Sequence, residues 1–238
     1  PWVKEVQKQG DAASGEKIFH RADLNCFGCH AISGAGGQLG PELGAVGSGS
    51  TTDYLIESIL FPSKVIKDGF QTVEVTTKED DSILGVRVRE NKDELVLRDA
   101  TRNEIVIPTS RIKEKIERRT SLMPEGLGSS LTHSELIDLV RFLSELGKPG
   151  AYANNPKAIV RKWQIGFPDS SKAPTTWMPA YSYVSGILPS ELFAGNEAAL
   201  ARFEMESTTA GAVRLKLNSM EGLSLTVDAK HVELKKNL

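Results

Sequence analysis

Cys26, Cys29 and His30, in the run Cys26-Phe27-Gly28-Cys29-His30, have the residue types and spacing for chemistry. Two thiols three positions apart can reach the two vinyl groups of one porphyrin as thioethers. The histidine beside the second thiol then falls under the iron as its proximal ligand, and Cys-x-x-Cys-His is the attachment signature of a c-type haem. Gly28, between the thiols, leaves room for the backbone to lie close to the ring edge. A thioredoxin-type Cys-x-x-Cys would need a βαβ context, which the flanking sequence lacks. A structural zinc site wants four ligands, and the chain has 2 cysteines. The motif therefore predicts one covalent haem c, which consumes both thiols and leaves no disulfide framework.

The elements around the motif must hold it. Residues 1–10 are polar and read as the end of a linker. Asp11 to His20 predicts a short helix, with Asp11 as N-cap and Ile18 and Phe19 as apolar anchors. After the motif, Ile32 to Gly49 is glycine-rich and can approach a flat cofactor without side-chain clashes. Pro41 fixes the backbone there, and a carbonyl near it can accept the Nδ1 proton of His30, setting tautomer and ring orientation. An ordinary turn is the alternative. Thr52 to Leu60 predicts a packed helix, stopped by Pro62. Thr132 and Glu135 form a capping box at the start of a closing helix. Leu136, Leu139, Val140, Leu143 and Leu146 follow at helical spacing, and Gly147 and Pro149 end it.

A haem iron also takes a ligand on its far side. Met123, in Ser121-Leu122-Met123-Pro124-Glu125-Gly126-Leu127, sits just ahead of the closing helix, where monohaem cytochromes place a distal thioether. His133 and His20 are the nitrogen alternatives. Filling a gap in the core is the other role open to Met123, and the stiffening Pro124 beside it favours the ligand.

Between Phe70 and Ile116 the period changes to two. Val73 and Val75, then Leu84, Val86 and Val88, then Leu95 and Leu97, then Ile105 and Ile107 alternate with polar residues, separated by turn signals. This predicts a four-stranded antiparallel meander or small barrel. Arg111 to Arg119 is a charge run, read either as a basic docking rim or as a solvated surface. From Pro149 onward prolines punctuate short alternating runs: Ile159-Arg161-Trp163-Ile165, Val213-Leu215-Leu217 and Leu223-Leu225-Val227. These predict a β-rich sandwich. Trp177 and Tyr181 there are either a ligand platform or interface residues.

The chain has 238 residues, 39% hydrophobic and 25% charged, which suits a soluble globular protein with a core. A formal net charge of -2 argues against general nucleic-acid binding, and no apolar run reaches the length of a membrane span. No signal peptide is visible and the first residue is Pro1, which reads as a processed product or an excised piece. Haem attachment of this type takes place outside the cytoplasmic membrane, so a periplasmic or otherwise extracytoplasmic location is expected.

Residues 11 to about 148 resemble the haem-binding cytochrome c domain of planctomycete and verrucomicrobial extracytoplasmic proteins. The likeness rests on Gly15-Glu16-Lys17-Ile18-Phe19, Cys26 to His30, Gly36-Gly37-Gln38-Leu39-Gly40-Pro41, Tyr54-Leu55-Ile56-Glu57-Ser58 and Pro62-Ser63-Lys64. It extends to Leu95-Val96-Leu97-Arg98-Asp99, Ser121 to Leu127 and Leu139-Val140-Arg141-Phe142-Leu143. It implies a class I-like cytochrome fold with His30 and Met123 as axial ligands. It also implies a domain that often ends a longer chain bearing a β-propeller dehydrogenase-like module. Around Gly222-Leu223-Ser224-Leu225-Thr226-Val227-Asp228 the chain resembles the glycan-associated PA14-type β-sandwich, without matching a ligand site.

The expected architecture is α+β and multi-domain. An all-α cytochrome c fold (residues 1–69 and 117–148) carries a β insertion (70–116), and an all-β, sandwich-like domain (149–238) follows. The expected function is that of a monohaem electron-transfer protein, not an enzyme, accepting electrons from a redox partner or fused dehydrogenase module. A haem peroxidase or gas sensor with a labile distal ligand is the enzyme-class alternative. A glycan- or partner-binding module in residues 149–238 is the third.

Overall fold

The computed structural model describes residues 1–153, 159–168, 174–196, 198–205, 215–217, 224–227 and 230–232. Chain contacts divide the protein into two units, residues 1–203 and 204–238.

In the first unit the chain opens with helix α1 (Trp2–Gln9), where a linker end was expected. Val6 is buried on its inner face and joins the helical core, which supplies the apolar burial that the polar composition conceals. Helix α2 (Ala12–Phe19) begins at Asp11, whose carboxylate accepts from the amides of Ala13 and Ser14. Helix α3 (Cys26–Cys29) is a single turn. The ribbon β1 (Ala31–Ile32) and β2 (Ala35–Gly36) follows, then α4 (Val46–Gly49) and α5 (Thr52–Leu60).

The alternating region forms a sheet of β3 (Thr72–Thr77), β4 (Ser82–Glu90), β5 (Glu94–Arg98), β6 (Glu104–Pro108) and β7 (Ile112–Glu117), in the order β6-β5-β4-β3-β7. Its fifth strand comes from the charge run. Every residue of this strand after Ile112 is exposed, so charge sits on both of its faces and the run carries no clean two-residue period. Arg111 pairs with Glu79, Lys115 with Glu90 and Arg118 with Glu74. The run is thus an exposed, ion-paired sheet surface. Such exposed pairs contribute about 0–1 kcal/mol each. Val73, Val75, Leu95, Leu97 and Ile107 form a separate core beneath the sheet.

Helix α6 (His133–Glu145) carries the capping box between Thr132 and Glu135 and packs against α2. Phe19, Val140, Phe142 and Leu146 lie at the centre of the helical core. Beyond it, β8 (Lys162–Gly166), β9 (Met178–Tyr181) and β10 (Leu200–Arg202) form a three-stranded sheet ordered β10-β8-β9.

The expected architecture, an all-α cytochrome c fold carrying a small antiparallel β insertion and followed by an all-β, sandwich-like domain, is therefore not what the chain adopts. The first unit is mixed, with a five-stranded sheet beside its helices. Among the described residues after 159, the first unit holds one three-stranded sheet and no second sheet packed on it. Val184 enters the helical core instead, and its amide donates to the buried carboxylate of Glu16 at 2.6 Å. Trp177 stacks beneath the Arg202 guanidinium, 4.0 Å from the ring centroid, and Tyr181 packs on Phe27, so both serve packing. In the second unit, β11 (Leu225–Val227) and β12 (Lys230–Val232) pair antiparallel. Val213, Leu223 and the ends of the Gly222–Asp228 stretch lie outside the described residues.

Candidate haem site

The single turn of α3 puts the two thiols on one stretch of helix. The amide of His30 closes that turn on the Cys26 carbonyl at 2.9 Å. Both cysteines are half-buried, and neither forms a disulfide. Phe27, between them, points the other way. It is buried against Phe19 at 5.6 Å, His20 at 4.3 Å and Tyr181 at 4.9 Å between ring centroids. A Cβ on residue 28 would fall 1.9 Å from Asn25 Oδ1, so a larger residue there would have to turn the Asn25 side chain aside.

The glycine-rich loop wraps back along the motif. Amides of Gly37, Gly40 and Leu43 donate to the carbonyls of Phe27, Cys29 and Ala31 at 3.0, 2.8 and 2.8 Å. The Glu42 carboxylate accepts from the amides of Ser33 and Gly44 and ties the loop to the β1–β2 turn. This wrapping brings the carbonyl oxygen of Pro41 to 2.8 Å from His30 Nδ1. With Nδ1 donating to Pro41, the neutral ring presents its Nε2 lone pair on the opposite side. Burial lowers the pKa of His30 and favours that neutral form, against a smaller opposing effect of the Pro41 bond. The imidazole lies flat over Gly40. A Cβ on residue 40 would stand 2.4 Å from His30 Cε1.

Burial raises the Cys26 thiol to about 11. The Cys29 thiol is also raised by burial, partly offset by the guanidinium of Arg102. The thiols are thus held protonated at neutral pH, and nothing around them builds a thiolate nucleophile. Among the described residues no group of three or more His, Cys, Asp and Glu is arranged to hold a bare metal ion.

Met123 is half-buried in its loop. Its amide donates to Ser121 Oγ at 3.1 Å, and the Ser121 amide donates to Ser63 Oγ at 3.2 Å. These bonds join the Met123 loop to the segment after α5, where Phe61 is 58% and Val65 56% exposed. Two large apolar side chains flanking Ser63 in water are the kind of surface that a porphyrin face would cover. His133 is committed elsewhere, with Nε2 2.6 Å from Glu5 Oε2, and His20 stacks on Phe27 inside the protein.

Cys26, Cys29, His30 and Pro41 are brought together by the backbone; Met123 sits on a separate loop. Sequence reasoning passed over Arg98 and Arg102 at the β5–β6 turn. Arg98 donates to the Gln38 carbonyl at 2.7 Å and Arg102 to that of Gly28 at 3.4 Å. Nothing short of the strand register would have placed them there. No family model and no curated protein matches the chain.

Proposed function

We propose that this chain is a monohaem c-type electron-transfer protein. Cys26 and Cys29 would hold the haem as thioethers, His30 Nε2 would be the proximal ligand and the Met123 sulfur the distal one. The observation that carries this reading is the fixing of His30 by the Pro41 carbonyl at 2.8 Å, on the same turn as two free, unactivated thiols. The Gly40 surface under the imidazole and the exposed Phe61 and Val65 fit the same group.

When bound, the haem supplies a one-electron carrier. The residues of the chain orient it: Pro41 sets the imidazole tautomer, and the wrapped loop fixes the ring plane. With an imidazole and a thioether as ligands no position is left for substrate, which supports outer-sphere transfer and not substrate chemistry. A thioether opposite imidazole raises the potential relative to two imidazoles and suits accepting electrons from a dehydrogenase partner or fused module. Attachment of this kind supports an extracytoplasmic location. Among the described residues no helix is long and apolar enough to cross a membrane.

The test is spectroscopic. The holo-protein should be low-spin in both redox states and slow to bind carbon monoxide. A high-spin ferric form with rapid carbon monoxide binding would favour a peroxidase or gas sensor instead.

A further inference from the structure

The turn between β5 and β6 brings the five-stranded sheet to the Cys26–His30 motif. Asp99 builds that turn. Its Oδ1 accepts from the Thr101 hydroxyl at 2.7 Å and the Asn103 amide at 3.0 Å, and its carbonyl accepts from the Arg102 amide at 2.9 Å. Arg102 is held at φ +74°, in the left-handed region that costs a non-glycine residue roughly 1 kcal/mol. From there its guanidinium reaches the Gly28 carbonyl, between the two thiols. Arg98, at the end of β5, is only 16% exposed. One of its nitrogens donates to the Gln38 carbonyl, in the loop that wraps under His30. Another pairs with Glu104 at 2.5 Å across the ladder.

We propose that Arg98 and Arg102 are positioning residues of the haem site, bracing the sheet on the Gln38 and Gly28 carbonyls and holding positive charge beside the proximal loop so that the reduced state is favoured. The inference rests on the haem reading given above. Two features separate charge from mere bracing. Arg98 is shielded from solvent, so its charge is weakly screened. Its partner Glu104 cancels part of that charge, and the Glu104 carboxylate pairs with Arg98 and Arg89, not with the motif or the loop. Removing Arg98 and removing Glu104 must therefore shift the potential in opposite directions, whereas both break the same ion pair.

Redox titration of the holo-protein tests this. At a fixed ambient potential, Arg98→Gln should lower the ratio of reduced to oxidised protein roughly threefold, and Glu104→Gln should raise it. A tenfold change corresponds to about 59 mV for one electron. Arg102→Gln, at an exposed position, should lower the ratio by less, and Arg98→Lys should restore most of the loss. Shifts of the same sign for Arg98→Gln and Glu104→Gln, or no shift in either, would overturn the proposal. Amide hydrogen exchange on the haem-free chain gives an independent reading of the brace. The Gly40 amide, bonded to the Cys29 carbonyl, should exchange faster in Arg98→Gln than in the parent. Unchanged exchange there would overturn the bracing role. A chain that takes up no covalent haem sinks the reading on which the potential shift depends, and that result is seen before any titration begins.

Discussion

The two sides of the site are built differently. On the His30 side the backbone does the work: three amides of residues 37–43 bond to three carbonyls of residues 27–31, and the imidazole rests on a residue without a side chain. On the Met123 side two serine hydroxyls hold the loop. His30 is therefore oriented by the fold itself. The Met123 loop is held by side-chain hydroxyls and not by a backbone ladder. Perturbing the first side should cost stability and haem uptake together; perturbing the second should change the iron environment with little cost to the fold.

The largest effect is expected from Gly40→Ala. The added methyl meets the His30 ring, and relieving the clash means shifting either the loop or the ligand. A loss of about 3 kcal/mol in urea unfolding is expected, together with poor haem incorporation. A fully loaded, equally stable variant would break the comparison.

Next comes acid stability behind the motif. Burial pushes His20 down to about 4, against a weaker opposing effect of Glu191. Above pH 6.5 the ring is neutral in both folded and unfolded chains and contributes nothing. As pH falls from 6.5 towards 4, the unfolded chain takes up a proton that the folded one refuses, so stability drops. About 2 kcal/mol should be lost across that window, less than the full linkage because the ring is not wholly enclosed. Unfolding midpoints of the parent and His20→Leu over that range check it: the variant should have the flatter profile. Glu16 works in the opposite sense. Burial raises its carboxyl despite the Val184 bond and Arg161, so its contribution weakens as pH rises.

Met123→Ala should cost about 1 kcal/mol of stability, since the side chain is half-buried. It should also abolish the far-red sulfur-to-iron band and open the iron to carbon monoxide. Ser63→Ala, the mildest change, removes the hydroxyl that accepts from the Ser121 amide. It should cost about 1 kcal/mol or less and speed carbon monoxide binding without removing the band. If Ser63→Ala matched Gly40→Ala in stability loss, the two sides would not differ as described.

Much of the helical part was legible in sequence because its signals are local. Asp11 caps within three residues, Thr132 and Glu135 cap each other, and the apolar residues of α5 and α6 recur at helical spacing. The pairing of His30 with the Pro41 carbonyl was foreshadowed by a proline in a glycine-rich loop. The sheet was partly legible: strands over Val73–Ile107 alternate plainly, but Ile112–Glu117 is masked by charge. Helix α1 was missed because only Val3 and Val6 mark its inner face. Among the described residues after 149 the sandwich reading is overturned for a non-local reason. Alternation shows that a strand has an apolar face but not what covers it, and the buried Val184, in a turn beyond β9, packs into the helical core. Arg98 and Arg102 were invisible as site residues because only the folded ladder carries them to Gly28 and Gln38.

The most direct measurement is extraction of the pigment into acidified acetone after expression with haem-maturation machinery. The parent chain should keep its colour in the protein precipitate, and the Cys26→Ser, Cys29→Ser double variant should release it or carry none. A colourless parent, or a pigment that leaves with the solvent, would contradict covalent attachment at this site.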